Sequence, residues 1–177
     1  VSKEMLPDKY SKIDFRDPYV FLHNGIYYMI LGTKKASFGN IVMFKSLDLL
    51  SWEFVGEVMN LDSPNRANFY QLDGVYECPS FAYVDGVGIL ISSPQNLPTD
   101  KSNFENISSN IYMVGDFDFT TGKFTYDKFM DLDGGFDFYA AQTTKMPDGR
   151  VILIAWMQMW GREFVTSKDN WVGAFTL

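Results

Sequence analysis

Asp17, Glu77 and Asp137 stand sixty positions apart in succession, and each opens a strand-like apolar segment. The segments read Asp17-Pro18-Tyr19-Val20-Phe21, Glu77-Cys78-Pro79-Ser80-Phe81-Ala82-Tyr83 and Asp137-Phe138-Tyr139-Ala140-Ala141-Gln142. A carboxyl group at one register of three successive units predicts three carboxyls converging on one point. Such convergence suits glycoside cleavage, where one carboxylic acid protonates the leaving oxygen while a second carboxylate acts on the sugar or on water.

The elements that must position these groups are strands. Apolar runs at Tyr19–Leu22, Ile26–Leu31, Ile41–Lys45 and Trp52–Val55 are separated by short turns, with His23-Asn24-Gly25 the clearest hairpin signal. The second unit has Pro79–Val84, the turn Asp85-Gly86, Gly88–Ser92, Ile111–Val114 and Phe124–Phe129. Its middle connection, Ser93 to Asn110, is long and rich in Ser, Asn and Pro, and is expected to rim a binding face. The third unit offers Tyr139–Lys145, the turn Pro147-Asp148-Gly149, Val151–Trp156 and Trp171–Phe175, one strand short of the pattern. Four-strand repeats of this length predict an all-β fold, about three four-stranded blades of a β-propeller, with units near 14–60, 75–131 and 135–177. Propellers close with about 4–8 blades. The expectation is therefore that neighbouring sequence is absent, and the start, Val1-Ser2-Lys3-Glu4, resembles neither an initiating methionine nor a signal peptide.

The bulk composition excludes several classes. A chain of 177 residues, 46% hydrophobic and 21% charged, is a folded protein and not a disordered one. A net charge of −7 argues against nucleic acid or an anionic membrane as partner, since either needs a basic patch. No apolar run reaches the roughly 20 residues that span a bilayer. The single cysteine, Cys78, excludes an intrachain disulfide and fits a reducing compartment, so a cytoplasmic location is expected, with an extracellular one as the alternative.

The motifs Phe15-Arg16-Asp17-Pro18, Glu77-Cys78-Pro79 and Asp137-Phe138-Tyr139-Ala140-Ala141-Gln142-Thr143 occur in order and resemble those of glycoside hydrolase family 32, the invertase, sucrose-6-phosphate hydrolase, levanase and inulinase group. Trp156-Met157-Gln158-Met159-Trp160 and Asn170-Trp171-Val172-Gly173 extend the likeness over nearly the whole chain. The resemblance implies a five-bladed propeller, usually followed by a β-sandwich, with the active site at the axial end of the channel. It also implies a nucleophilic Asp in an Asn-Asp-Pro-Asn-Gly type motif on the first blade. Nothing in Val1–Asp14 matches that motif, and Pro7-Asp8-Lys9 is no substitute.

Glu77 is the expected general acid/base, because a retaining glycosidase needs a protonated carboxylic acid about 5–5.5 Å from its nucleophile. Taken alone it would read as a strand-end surface glutamate; the flanking motifs favour chemistry. Asp17 is expected to be ionised and bonded to fructose hydroxyls, stabilising an oxocarbenium-like transition state, although Asp-Pro is also ordinary turn chemistry. Arg16 presents a planar fork for hydroxyls or a carboxylate, or forms a plain surface ion pair. Asp137 either contacts substrate or caps backbone amides. Trp160, before Gly161-Arg162, is a sugar-stacking candidate, whereas Trp156 reads as core; Tyr139 carries both readings.

Other residues are read as structural. Strand alternation points Cys78 away from Glu77, toward packing. His23, the single histidine, allows neither a histidine triad nor a zinc site and reads as a solvated turn residue. Asp131-Leu132-Asp133-Gly134 lacks the later ligands of an EF-hand and reads as a connecting turn, and Asp116-Phe117-Asp118 with Thr121-Gly122-Lys123 reads as a hairpin. The chemistry requires no metal or other cofactor. The partners expected are a fructoside and the rest of the propeller. Two rivals remain at this stage: an inverting family 43-like arabinanase or xylosidase, with carboxyls about 6.5–9.5 Å apart, and a carbohydrate-binding propeller module without catalysis.

Overall fold

Asn24-Gly25 and Asp85-Gly86 each place two successive residues at positive φ, 50° and 79° in the first pair and 50° and 80° in the second. That is the two-residue hairpin geometry whose twist matches its strands. In the computed structural model these turns join β1 (Tyr10–His23) to β2 (Ile26–Lys35) and β5 (Tyr76–Val84) to β6 (Val87–Pro94). The structure describes residues 1–59, 74–97, 99, 104–106 and 108–176, without the side chains of 127 and 128.

β3 (Phe38–Ser46) and β4 (Glu53–Glu57) complete a first antiparallel sheet, ordered β1-β2-β3-β4. β7 (Ile111–Asp118) and β8 (Lys123–Asp131) complete a second, ordered β5-β6-β7-β8. β9 (Tyr139–Lys145) pairs with β10 (Val151–Trp156) in a two-stranded third sheet. The inner strands β1, β5 and β9 run beside one another, so the sheets are successive blades of a β-propeller. Strand type and order agree with the apolar runs, but the strands extend further: β1 begins at Tyr10 rather than Tyr19.

One expected strand does not form. Within Trp171–Phe175 only Phe175 pairs, in a single bridge with Trp156, while Trp171 and Val172 are exposed. The chain reaches β10 from a short 3-10 turn at Ser167–Asp169 and a left-handed Asn170 (φ 61°). It therefore meets β10 only at its last residues. No helix among the described residues is long and apolar enough to cross a membrane.

The main core lies between the first two blades, where Ile30, Met43, Tyr76, Phe81, Leu90 and Met113 are buried together. Each fully buried apolar side chain contributes about 1.5–3 kcal/mol. At one point the blades meet backbone to backbone. A Cβ added to Gly32 would stand 2.2 Å from the Tyr76 carbonyl oxygen, so glycine is required for β5 to close on β2. Gly32 is paired with Arg16, and Tyr76 precedes Glu77; this contact therefore sets the spacing between two site residues.

Candidate active site

Each inner strand carries a β-bulge at the same place. The register slips between Arg16 and Tyr19 on β1, between Glu77 and Ser80 on β5, and between Tyr139 and Gln142 on β9. At each slip a residue other than glycine sits at positive φ: Asp17 (59°), Cys78 (47°) and Ala140 (54°). A left-handed non-glycine residue costs on the order of 1–3 kcal/mol, and a bulge re-aims the side chains around it. Arg16, Glu77 and Tyr139 immediately precede the three bulges and are the true structural equivalents.

This corrects the sixty-residue acidic register. Glu77 follows Arg16 by 61 positions and precedes Tyr139 by 62, so Asp17 is equivalent to Cys78, and Asp137 lies before β9 begins. Three unlike side chains converge instead of three carboxyls. The bulges also overturn the alternation argument for Cys78. Its amide donates to Asp17 Oδ2 at 3.0 Å, and its thiol lies 3.8 Å from the same oxygen. Burial, with the nearby Asp17 and Glu77 carboxylates, pushes the thiol up to about 12.

Glu77 is held from both sides. Arg16 Nε and Nη2 each lie 3.0 Å from Oε1, and the Tyr139 hydroxyl donates to Oε2 at 2.5 Å. Burial, then the hydrogen bond to Glu77, raises the Tyr139 phenol far above its ordinary value, so it remains a donor. Arg16 also donates from Nη1 to Asp14 Oδ1 at 3.2 Å. Burial alone would lower the guanidinium, but its bonds to Glu77 and Asp14 raise it. Asp14 likewise resists burial, and contacts with Arg16 and Lys34 hold its carboxyl below the ordinary range.

Above Glu77 opens a pocket of about 530 Å³ lined by Gln95, Asn96, Ser108, Trp160 and Gly161. Three of these belong to the long connection expected to rim a binding face; its residues 98, 100–103 and 107 lie outside the described residues. Trp160 is 57% exposed and stands 4.9 Å, centroid to centroid, from half-buried Trp156. Asp137 does not join this group: its carboxylate lies 3.4 Å from Arg162 Nη1, and both side chains are nearly half exposed. His23 stacks on Phe119 at 4.1 Å instead of standing free in solvent.

Asp131 and Asp133 accept the backbone amides of Phe104 and Gly135, and among the described residues no group of three potential metal ligands forms. Sequence reasoning missed Asp14, Ser93 and Gln142. Asp14 was within reach, since it lies two residues before Arg16 on one strand. Gln142, whose amide donates to the Cys78 carbonyl at 2.8 Å, and Ser93, whose carbonyl faces the Tyr139 hydroxyl at 3.4 Å, left no local signal. Chemically, the group is a carboxyl in a pocket lining, with a cationic fork on one oxygen and a phenol on the other.

Residues 2–177 match the family model for the glycosyl hydrolases family 32 N-terminal domain. The sucrose-6-phosphate hydrolase of Bacillus subtilis (strain 168) is 35% identical over 97% of this chain and 36% of its own length. The solved GH32 beta-fructofuranosidase of Bombyx mori superposes with a TM-score of 0.82 at 33% identity, over 97% of this chain and 35% of that one; a mutant of it is solved in complex with sucrose. The sucrose-6-phosphate hydrolase from Lactobacillus gasseri gives a TM-score of 0.82 at 34% identity, over 97% of this chain and 34% of that one. The chain spans about a third of the length of the curated relatives it matches.

Proposed function

The chain belongs to glycosyl hydrolase family 32, and from that premise we propose that it forms part of the catalytic propeller of a retaining β-fructofuranosidase acting on sucrose, sucrose 6-phosphate or a fructan. Glu77 is the general acid/base, Asp17 the transition-state stabiliser, and Trp160 a stacking surface for the sugar. The nucleophilic carboxylate comes from elsewhere in the complete protein, as do the blades that close the ring and the missing wall of the pocket. The observation that carries this reading is the clamping of Glu77 between Arg16 and Tyr139 in the lining of an open pocket.

The proton logic follows from that clamp. Arg16 and Tyr139 hold both carboxyl oxygens in place, and from that position Glu77 takes a proton from water in the second step. In the first step the leaving oxygen takes the proton from Glu77 itself. Asp17, fixed by the Cys78 amide, is free to accept from sugar hydroxyls with its other oxygen, in bonds that strengthen as the ring acquires positive charge.

Glu77→Gln in the complete protein tests this reading. Turnover of sucrose or sucrose 6-phosphate is expected to fall about 10²–10⁴-fold, the worth of a positioned general acid/base, with binding of the sugar retained. Undiminished turnover would remove Glu77 from the mechanism.

A further inference from the structure

On either side of the bulge that presents Tyr139 to Glu77, backbone groups of the β9 segment are bonded by one side chain from another blade. Asn110, just ahead of β7, is 5% exposed. Its Nδ2 donates to the Phe138 carbonyl, and its Oδ1 accepts the Ala141 amide at 3.3 Å and the Ser93 hydroxyl at 2.8 Å. Phe138 and Ala141 flank Tyr139 and the left-handed Ala140. Ser93, in turn, supplies the carbonyl that faces the Tyr139 hydroxyl. The Asn110 backbone carbonyl is tied separately, by the Leu132 amide at 2.9 Å. One amide thus fixes both sides of the bulge and the strand that the phenol rests on.

We propose that Asn110 is a positioning residue for the reaction, holding the β9 bulge so that the Tyr139 hydroxyl reaches Glu77. The inference rests on the reading of Glu77 as acid/base and extends it to a residue that touches neither sugar nor carboxyl. A buried amide is suited to this, because it supplies a donor and an acceptor at fixed separation, and buried backbone groups left without partners are costly. Among the described residues, the charged and titratable groups around Glu77 are Asp17, bonded to Cys78 next to it on β5, Arg16 from β1, and Tyr139 from β9. Asn110 acts on the last of these alone.

The consequence is specific. It is read in the alkaline limb of the kcat profile, which Tyr139→Phe, by removing one donor to the Glu77 carboxyl, is expected to displace. In the complete protein, Asn110→Ala is expected to move that limb in the same direction as Tyr139→Phe and to lower kcat about tenfold or more, with KM little changed. Combining the two substitutions is expected to add no further shift, because they remove the same contact. Ser93→Ala deletes only one donor to Asn110 and is expected to give a smaller shift of the same sign, with the fold intact.

An unmoved limb in folded Asn110→Ala and Ser93→Ala, or shifts fully additive with Tyr139→Phe, would overturn the proposal. If Asn110→Ala fails to fold, Ser93→Ala decides the matter by itself. Glu77→Gln runs alongside as the reference. Should it retain turnover, the acid/base reading fails and the positioning role with it; if it loses turnover while the limb stays fixed in the Asn110 and Ser93 variants, only the positioning role fails.

Discussion

Arg16 shows how narrowly the site is specified at the scale of one residue. It serves Glu77 through Nε and Nη2 and Asp14 through Nη1, a division that a planar fork permits and a lysine ammonium does not. Cys78 gives the sharper test. Its amide holds Asp17, while its thiol, pushed up to about 12 by burial and by Asp17 and Glu77, is protonated at neutral pH. Iodoacetamide is expected to label the native chain at least tenfold more slowly than the urea-unfolded chain at about pH 7.5, because the thiolate is the reacting form. Equal rates would contradict the buried setting. The same shift has a sign for stability. From about 9 upward the unfolded chain releases the thiol proton first, so this group's contribution to stability falls as pH rises toward about 12.

At the scale of elements, the site depends on how closely β5 approaches β2. Gly32 admits the Tyr76 carbonyl at a distance no Cβ tolerates, and the next residue along β5 is Glu77. Gly32→Ala is expected to destabilise the chain by about 1–3 kcal/mol, the usual cost of overpacking, read as a lower urea midpoint. In the complete protein it should also reduce turnover, because β5 moves away from Arg16. An unchanged midpoint would mean that the blades are less tightly joined than this contact requires. The bulges belong to the same scale. They turn three ordinary inner strands into carriers of Arg16, Glu77 and Tyr139, and without them strict alternation would send successive side chains to opposite faces.

In the molecule as a whole, the third sheet has two strands among the described residues, and beside it Ile89, Ile91, Tyr112, Leu132 and Leu153 line an apolar groove. The Phe175 bridge to Trp156, with Thr176 bonded to Ala155, sets an antiparallel register along β10. The chain of 177 residues, assayed by itself, is expected to hydrolyse no measurable sucrose, because covalent catalysis needs a nucleophile that none of the residues clamped here supplies. Glucose release abolished by Glu77→Gln would refute that expectation and locate a complete catalytic set within these residues.

Much of this was legible because it is local. Asn24-Gly25 and Asp85-Gly86 declare their hairpins by φ preference alone, the apolar runs give strand type and order, and the ordered motifs around Asp17, Glu77 and Tyr139 mark the family. What tertiary structure decided is which side chains face one another. The bulges lie at the same place in the three inner strands, at Asp17, Cys78 and Ala140, so equivalent positions are not sixty residues apart and the even acidic spacing of Asp17, Glu77 and Asp137 misled. Arg16, Glu77 and Tyr139 meet across 61 and 62 positions of chain, and Asn110 reaches β9 from a different blade. Contacts of that range leave no periodic trace in sequence, because they are fixed by packing between blades and not by preferences within a strand.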